Sequence, residues 1–285
     1  MFNRRLPCVL ALATVLLLGC GGTTGAPVPA PVPEPPGPRG EVVVFAAASL
    51  TDAFKEMAQT LQGRYPALSF SFNFAASSTL RTQLAQGARA DVFASADERN
   101  MRAARQDGII AGDPKVFVRN EPVIVVPTSN PAGITALKDL VRPGLRLVVA
   151  GREVPIGGYT RQILQNASRD PAYGPDFADR VLKNVVSEEP NVRASLAKVV
   201  LGEADATFVY RSDVTPEVRG RVKVAEIPAE FNVLADYYIA VVKDPPNPAG
   251  AAAFVEFVLS AEGQQILAKW GFKPARRGVE ANGRR

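Results

Sequence analysis

The chain has 285 residues, 47% of them hydrophobic, and a formal net charge of +5, values that fit a folded globular protein. It contains no histidine, so the commonest general base, the usual activator of a catalytic serine and the best zinc ligand are all absent. Acidic and basic residues are mixed along the chain, which argues against a nucleic-acid-binding surface.

The N-terminus has the pattern of an export signal. Arg4 and Arg5 precede an apolar run over 6–18, which is shorter than the roughly 20 residues of a membrane-spanning helix. The run ends in Leu-Leu-Gly-Cys, and this Cys20 stands where bacterial lipoproteins are cleaved and acylated. We predict a lipoprotein signal peptide over 1–20 with lipidation of Cys20. The alternative is an ordinary signal peptide with an incidental cysteine. Cys8 leaves with either peptide, so no disulfide is expected.

Two further segments are predicted to lie outside the folded core. Residues 21–40 are rich in proline and glycine, which favours extended polyproline II, and we predict that they form a tether between the lipid and the folded part. Residues 276–285 form a basic C-terminal tail. The folded part therefore spans roughly 41 to 275.

Short apolar strands alternate with amphipathic helices throughout this folded part, which predicts an α/β protein with mostly parallel sheets. Predicted strands are 42–45, 69–74, 91–95, 116–118, 122–127, 145–150, 205–210, 222–227 and 236–242. Predicted helices are 50–62, 79–86, 97–107, 158–167, 176–184, 190–201, 249–259 and 261–269.

The length of the folded part and two apolar runs predict two lobes. The runs, 122–127 and 236–242, are not separated from their neighbours by long helical patterns, so they are candidate hinge strands. The sequence then predicts lobe 1 over 41–121 plus 239–275 and lobe 2 over 122–238. Ligands of such sheets bind beyond the carboxyl ends of the strands, so a cleft between the lobes is the expected site.

Two turns of the first lobe combine a strand, a run of small residues and a serine that opens a helix. Ser49 follows the strand at 42–45, and Ser77 or Ser78 follows the strand at 69–74. A helix start has unpaired N–H donors and a partial positive charge, so it can hold an anion without a basic residue. Serine is also an ordinary N-cap, and Ser49 with Asp52 resembles a capping box, so each turn alone has a purely structural alternative.

Two turns of the second lobe have a similar character. The loop after strand 145–150 contains Pro155 and two glycines, which leaves the N–H of Ile156 free to face a ligand. Pro190 at a helix start leaves the first turn that contains Val192 exposed. Each feature has a structural alternative, because such loops and helix starts usually only turn the chain.

Six segments together resemble the periplasmic molybdate-binding proteins of ABC transporters. They are AAASLTDAF, FAASSTL, ARADVFASAD, VPIGGYTRQIL, PNVRASLAKVVLGEADATFVYRSD and the closing WGF. The resemblance implies a two-lobed type II periplasmic-binding-protein fold joined by hinge strands. It also implies five contacts to a molybdate or tungstate oxyanion: the serines Ser49 and Ser77, the backbone N–H groups of Ile156 and Val192, and the hydroxyl of Tyr210.

The same resemblance implies an extracytoplasmic receptor that passes its ligand to an ABC permease. The predicted lipidation of Cys20 would anchor it to the membrane, and we expect a monomer. No catalysis, no cofactor and no protein ligand to a metal cation are then expected, since molybdenum would be held through its oxygens. The alternatives are a receptor for another oxyanion such as sulfate, and an anion-handling phosphoesterase.

Two other groups of residues could carry chemistry. The pair Tyr237 and Tyr238 could bind ferric iron, but these residues precede an apolar strand and lack nearby histidine, so hinge packing is the better interpretation. The carboxylates Asp97, Glu98, Asp205 and Asp213 could act as acid and base. Their positions at helix starts and strand ends favour caps and solvated charges.

Overall fold

The computed structural model describes residues Gly37–Ala275. The predicted signal peptide with Cys20, most of the tether and the basic tail lie outside these residues. Within this range the strands are β1 Gly40–Ala47, β2 Leu68–Ala75, β3 Val92–Ser95, β4 Lys115–Asn120, β5 Pro122–Pro127, β6 Leu147–Ala150, β7 Val185–Glu189, β8 Ala206–Tyr210, β9 Val222–Ala225, β10 Ala235–Val241 and β11 Lys273–Pro274. The α-helices are α1 Thr51–Arg64, α2 Ser77–Ala85, α3 Glu98–Gln106, α4 Pro155–Ala167, α5 Phe177–Leu182, α6 Val192–Val200, α7 Pro216–Arg219, α8 Pro248–Leu259 and α9 Ala261–Lys269.

The first sheet has six strands in the order β11-β4-β10-β3-β1-β2. Strand β1 is parallel to β2 and β3, while β10 runs antiparallel to β3 and β4. Side chains alternate along β1, so that Val44 packs with Phe54 and Phe254 on one face, and Phe45 packs with Leu80 on the other. Helices therefore cover both faces of this sheet, whose two central strands are β10 and β3.

The second sheet has five strands in the order β7-β6-β8-β5-β9. Strand β6 is parallel to β7 and β8, and β5 is antiparallel to β8 and β9. The chain enters this sheet directly after β4 and has returned to the first sheet by β10. Each sheet with its helices forms one lobe.

The predicted two-lobed α/β fold is confirmed, with sheets that are mixed rather than mostly parallel. The reason is that β5 and β10, which bring the chain into and out of the second lobe, pair antiparallel with their neighbours. The predicted return point at residue 238 also lies too late. Strand β10 pairs within the first sheet from Ala235 onward, so its two tyrosines belong to lobe 1.

Candidate functional site

The five residues implied by the resemblance line one cavity between the lobes. Besides Ser49, Ser77, Ile156, Val192 and Tyr210, its walls consist of Ala47, Ala48, Ala75, Ala76, Ala96, Val154, Pro155 and Asn191. The cavity is narrow, since the centre of a water-sized sphere has only about 10 Å³ in which to move. The small alanine side chains leave the backbone accessible from this narrow space.

Ser49 lies in a short 3-10 turn over Ala48–Leu50, directly between β1 and α1. The expected capping box is absent, because the side chain of Ser49 does not bond to the helix start. Its Oγ instead lies 2.7 Å from the hydroxyl of Tyr237 on β10. The capping interpretation of this serine is therefore wrong.

Ser77 is the first residue of α2 and is fully buried, and it also makes no capping bond. The backbone N–H of Ala96 donates a hydrogen bond of 2.9 Å to its Oγ. Ser78 does not line the cavity; it borders a more open groove outside it, beside Arg152 and Glu153. Of the two candidate serines in this turn, the structure brings only Ser77 to the cavity.

The backbone N–H groups of Ile156 and Val192 lie at the starts of two helices. Helix α4 begins at Pro155, three residues before the predicted start, because proline at the first helical position fits the fixed φ of a helix. Ile156 therefore lies in the first turn, where N–H groups have no acceptor within the helix. Helix α6 begins at Val192 rather than at Pro190, and the side chain of Asn191 caps it by accepting from the N–H of Ala194.

Tyr210 ends β8, and its buried hydroxyl is without a hydrogen-bond partner in the described part of the chain. A buried polar group left unpaired costs about 1 to 3 kcal/mol, so a ligand that accepts a hydrogen bond from this hydroxyl would remove that cost. Burial, followed by the neighbouring Tyr237 and Tyr159, raises the pKa of Tyr210. Its hydroxyl therefore keeps its proton and is a donor at physiological pH.

An arginine joins the two lobes beside the cavity. The guanidinium of Arg193 donates to Asp52 of lobe 1 over 2.6 Å and to Asp213 of its own lobe over 2.8 Å. Burial lowers the pKa of Arg193, but the two carboxylates outweigh burial and the pKa is raised. Arg193 is thus neutralised by carboxylates and does not supply its charge to the cavity.

Three of the four carboxylates considered as acid and base have structural partners, and the fourth, Glu98, lies in the first turn of α3. Asp97 caps α3 by accepting from the N–H of Asn100, as predicted. Asp205 pairs with Arg146. Asp213 is fully buried against Arg193, so its interpretation as a solvated charge is wrong. Between Gly37 and Ala275 there is no group of three or more acidic, histidine or cysteine residues arranged to hold a metal ion.

The profile of the family described as bacterial extracellular solute-binding protein matches residues 42–273. The chain belongs to this family. The molybdate-binding protein ModA of Mycobacterium tuberculosis (strain ATCC 25618 / H37Rv) is 40% identical over 93% of this chain and 95% of its own. The resemblance to molybdate-binding proteins is thereby confirmed, and the protein is extracytoplasmic like the rest of its family.

Solved structures agree on the fold of this solute-binding protein. The periplasmic molybdate-binding protein of Azotobacter vinelandii has a TM-score of 0.71 at 17% identity, covering 82% of this chain and 100% of that one. The sulfate-binding protein SubI of Mycobacterium tuberculosis H37Rv has a TM-score of 0.72 at 19% identity, covering 84% of this chain and 88% of that one. In the region that the structure describes, no helix is long and apolar enough to cross a bilayer.

Proposed function

We propose that this solute-binding protein holds molybdate or tungstate in the cavity between its lobes and delivers it to an ABC permease. The observation that carries the proposal is the chemistry of the lining. Two serine hydroxyls, the N–H groups of two helix starts and an unpaired tyrosine hydroxyl meet around one narrow cavity, without an arginine or lysine among the lining residues. The ligand contacts proposed are those of Ser49, Ser77, Ile156, Val192 and Tyr210.

A fully deprotonated oxyanion complements such a lining. Every oxygen of molybdate or tungstate is an acceptor near pH 7, so the site needs donors only. The helix starts balance part of the negative charge, and the neutral donors avoid the strong charge-assisted bonds that an arginine clamp would add. Release to a permease then remains possible.

The same reasoning supports a protein that transports its ligand unchanged. A hydrolase would need an activated nucleophile or a bound metal, and the chain has no histidine to activate Ser49 or Ser77. We propose a monomer anchored to the membrane through acylated Cys20, with residues 21–40 as its tether. Lobe 1 then comprises 41–121 and 235–275, and lobe 2 the residues between them.

A thermal-shift experiment tests the proposed ligand. Molybdate at 100 times its dissociation constant should stabilise the folded protein by about 2.7 kcal/mol, because it binds only the folded state. Tungstate should act alike, and a generic phosphoester should neither stabilise the protein nor be hydrolysed. Turnover of the phosphoester, or no shift with either oxyanion, would contradict the proposal.

Closure of the lobes should depend on the ion pair between Asp52 and Arg193. Asp52→Asn removes the charge on lobe 1 but leaves Arg193 paired with Asp213, so the buried charge keeps a partner. We expect molybdate affinity to fall by about 1 kcal/mol, roughly fivefold, because the closed state loses a charge-assisted bond that the open state does not make. Small-angle scattering should show compaction of the unaltered protein with molybdate.

Glu153→Gln provides the matched control for this change. Glu153 also pairs across the lobes, with Arg99, but the side chains are 76% and 49% exposed, against 28% for both Asp52 and Arg193. Exposed pairs contribute little, so the affinity should stay within about twofold. Equal losses in both variants, or an unchanged radius of gyration with saturating molybdate, would argue against closure through the Asp52 pair.

A further inference from the structure

A chain of buried hydrogen bonds runs behind Ser49, on the side away from the cavity. The hydroxyl of Tyr237 lies 2.7 Å from the Oγ of Ser49 and 3.3 Å from the Nδ2 of Asn120. The same Nδ2 lies 2.7 Å from the Oγ of Ser212 at the edge of lobe 2. All four side chains are buried, so water does not compete for these bonds.

The direction of the bonds follows from the amide of Asn120. The backbone N–H of Glu121 donates to its Oδ1 over 3.0 Å, which leaves Nδ2 as the group that faces Tyr237. An amide nitrogen only donates, so the oxygen of Tyr237 accepts from Asn120. The one acceptor that the described contacts offer to the proton of Tyr237 is then the Oγ of Ser49.

The protonation state of Tyr237 supports this direction. Burial, and next the negative charge of Asp213, raises the pKa of Tyr237 well above its ordinary value. The phenol is therefore protonated at every physiological pH. Because the proton of Tyr237 occupies the contact between the two hydroxyls, the proton of Ser49 is left to point into the cavity.

We propose that Tyr237, held by Asn120, is a positioning residue that makes Ser49 a donor to the bound anion and so selects against anions that carry a proton. This role rests on the proposed function. Ser77 has a parallel arrangement, since the N–H of Ala96 already donates to its oxygen. A singly protonated phosphate would bring its own proton to a site whose serine oxygens already accept one.

The variant Tyr237→Phe tests the proposal through ratios of affinities. It leaves the oxygen of Ser49 without a donor when molybdate binds, whereas the proton of phosphate can supply one. We expect the preference for molybdate over phosphate to fall by about tenfold at a pH of about 8. Sulfate carries no proton, so the preference for molybdate over sulfate should not change.

A second variant, Asn120→Asp, reverses the direction of these hydrogen bonds and hardly changes the shape of the side chain at position 120. The new carboxylate accepts the proton of Tyr237, so Ser49 donates to Tyr237 and turns an acceptor toward the ligand. The added negative charge repels molybdate and hydrogen phosphate equally, because both are dianions, so it cancels in the ratio of their affinities. The preference for molybdate over phosphate should therefore fall further than in Tyr237→Phe. Tyr238→Phe is the matched control, because it removes the neighbouring hydroxyl, which makes no described hydrogen bond.

Titration calorimetry of the purified protein with the sodium salts of molybdate, sulfate and phosphate measures these ratios. We expect the ratio of molybdate affinity to phosphate affinity to fall in Tyr237→Phe and Asn120→Asp, and the ratio of molybdate affinity to sulfate affinity to stay the same. In Tyr238→Phe both ratios should equal those of the unaltered protein. Parallel losses for all three anions would overturn the proposal, since a packing defect acts on each alike. Failure of the unaltered protein to bind molybdate would overturn the proposed function as well.

Discussion

Replacing either cavity serine by alanine should weaken molybdate binding by about 1.5 to 3 kcal/mol, the scale of a hydrogen bond to a charged partner. Ser49→Ala removes the hydroxyl that Tyr237 directs toward the cavity. Ser77→Ala removes the hydroxyl held by the N–H of Ala96. Calorimetric titration should therefore show affinity losses between roughly tenfold and two-hundredfold in each variant.

Ser78→Ala is the control for both serine variants. Its side chain lies one residue farther along α2 and borders the open groove rather than the cavity, so molybdate affinity should change little. Each serine variant also leaves one buried donor without an acceptor, and chemical denaturation should reveal a loss of stability of about 1 to 3 kcal/mol. Equal affinity losses at Ser77 and Ser78, or none at Ser49, would show that the anion binds elsewhere.

Gly157→Ala should disturb both the fold and the site. A Cβ at this position would lie 2.0 Å from the carbonyl oxygen of Gly151 and 2.4 Å from that of Ala150. These atoms belong to the backbone, which cannot rotate away, so α4 would have to move from the end of β6. We expect a loss of about 3 kcal/mol in the free energy of unfolding, typical of severe overpacking. The N–H of Ile156 would move with the helix, so molybdate binding should fall at least tenfold.

Gly158→Ala is a closely matched comparison. A Cβ there would meet only the carbonyl oxygen of Arg152, at the ordinary contact distance of 3.8 Å. Alanine is the better helix former by about 1 kcal/mol, so this variant should be as stable as the unaltered protein or slightly more so. Urea denaturation of both variants checks the pair. If Gly157→Ala unfolds at the same urea concentration as Gly158→Ala, the close approach of α4 to β6 is not real.

Gly157 shows where inference from this sequence stops. The two glycines after Pro155 predicted only a loop, because the need for space at Gly157 arises from how closely the first turn of α4 packs on the carbonyl groups of Ala150 and Gly151, which the sequence pattern does not show. The same limit applies to Tyr237, whose aromatic ring predicted hinge packing. Its hydroxyl contact with Ser49 joins positions 188 residues apart, and no local pattern indicates such a contact.

Features with a local physical cause were predictable. The alternation of apolar strands and helices predicted the α/β class, the length and two apolar runs predicted two lobes, and the serine-bearing turns pointed to Ser49 and to Ser77 or Ser78. Strand β7 was missed because the charged residues at its end, Glu188 and Glu189, interrupt the apolar pattern of an edge strand. The end of the second lobe was also harder to place, since the strand β10 is a continuous apolar run that gives no sign of where the chain crosses between the lobes.

Competition calorimetry near pH 7 tests the central claim, that the cavity selects a proton-free oxyanion through donors alone. Tungstate should displace molybdate at comparable concentration. Phosphate usually carries a proton near this pH, and burying that proton among donors costs about 1 to 3 kcal/mol, so its affinity should be at least tenfold to a hundredfold lower. Sulfate should also bind more weakly, because its smaller tetrahedron cannot reach all five donors. Displacement of molybdate by phosphate at comparable concentration would contradict the account.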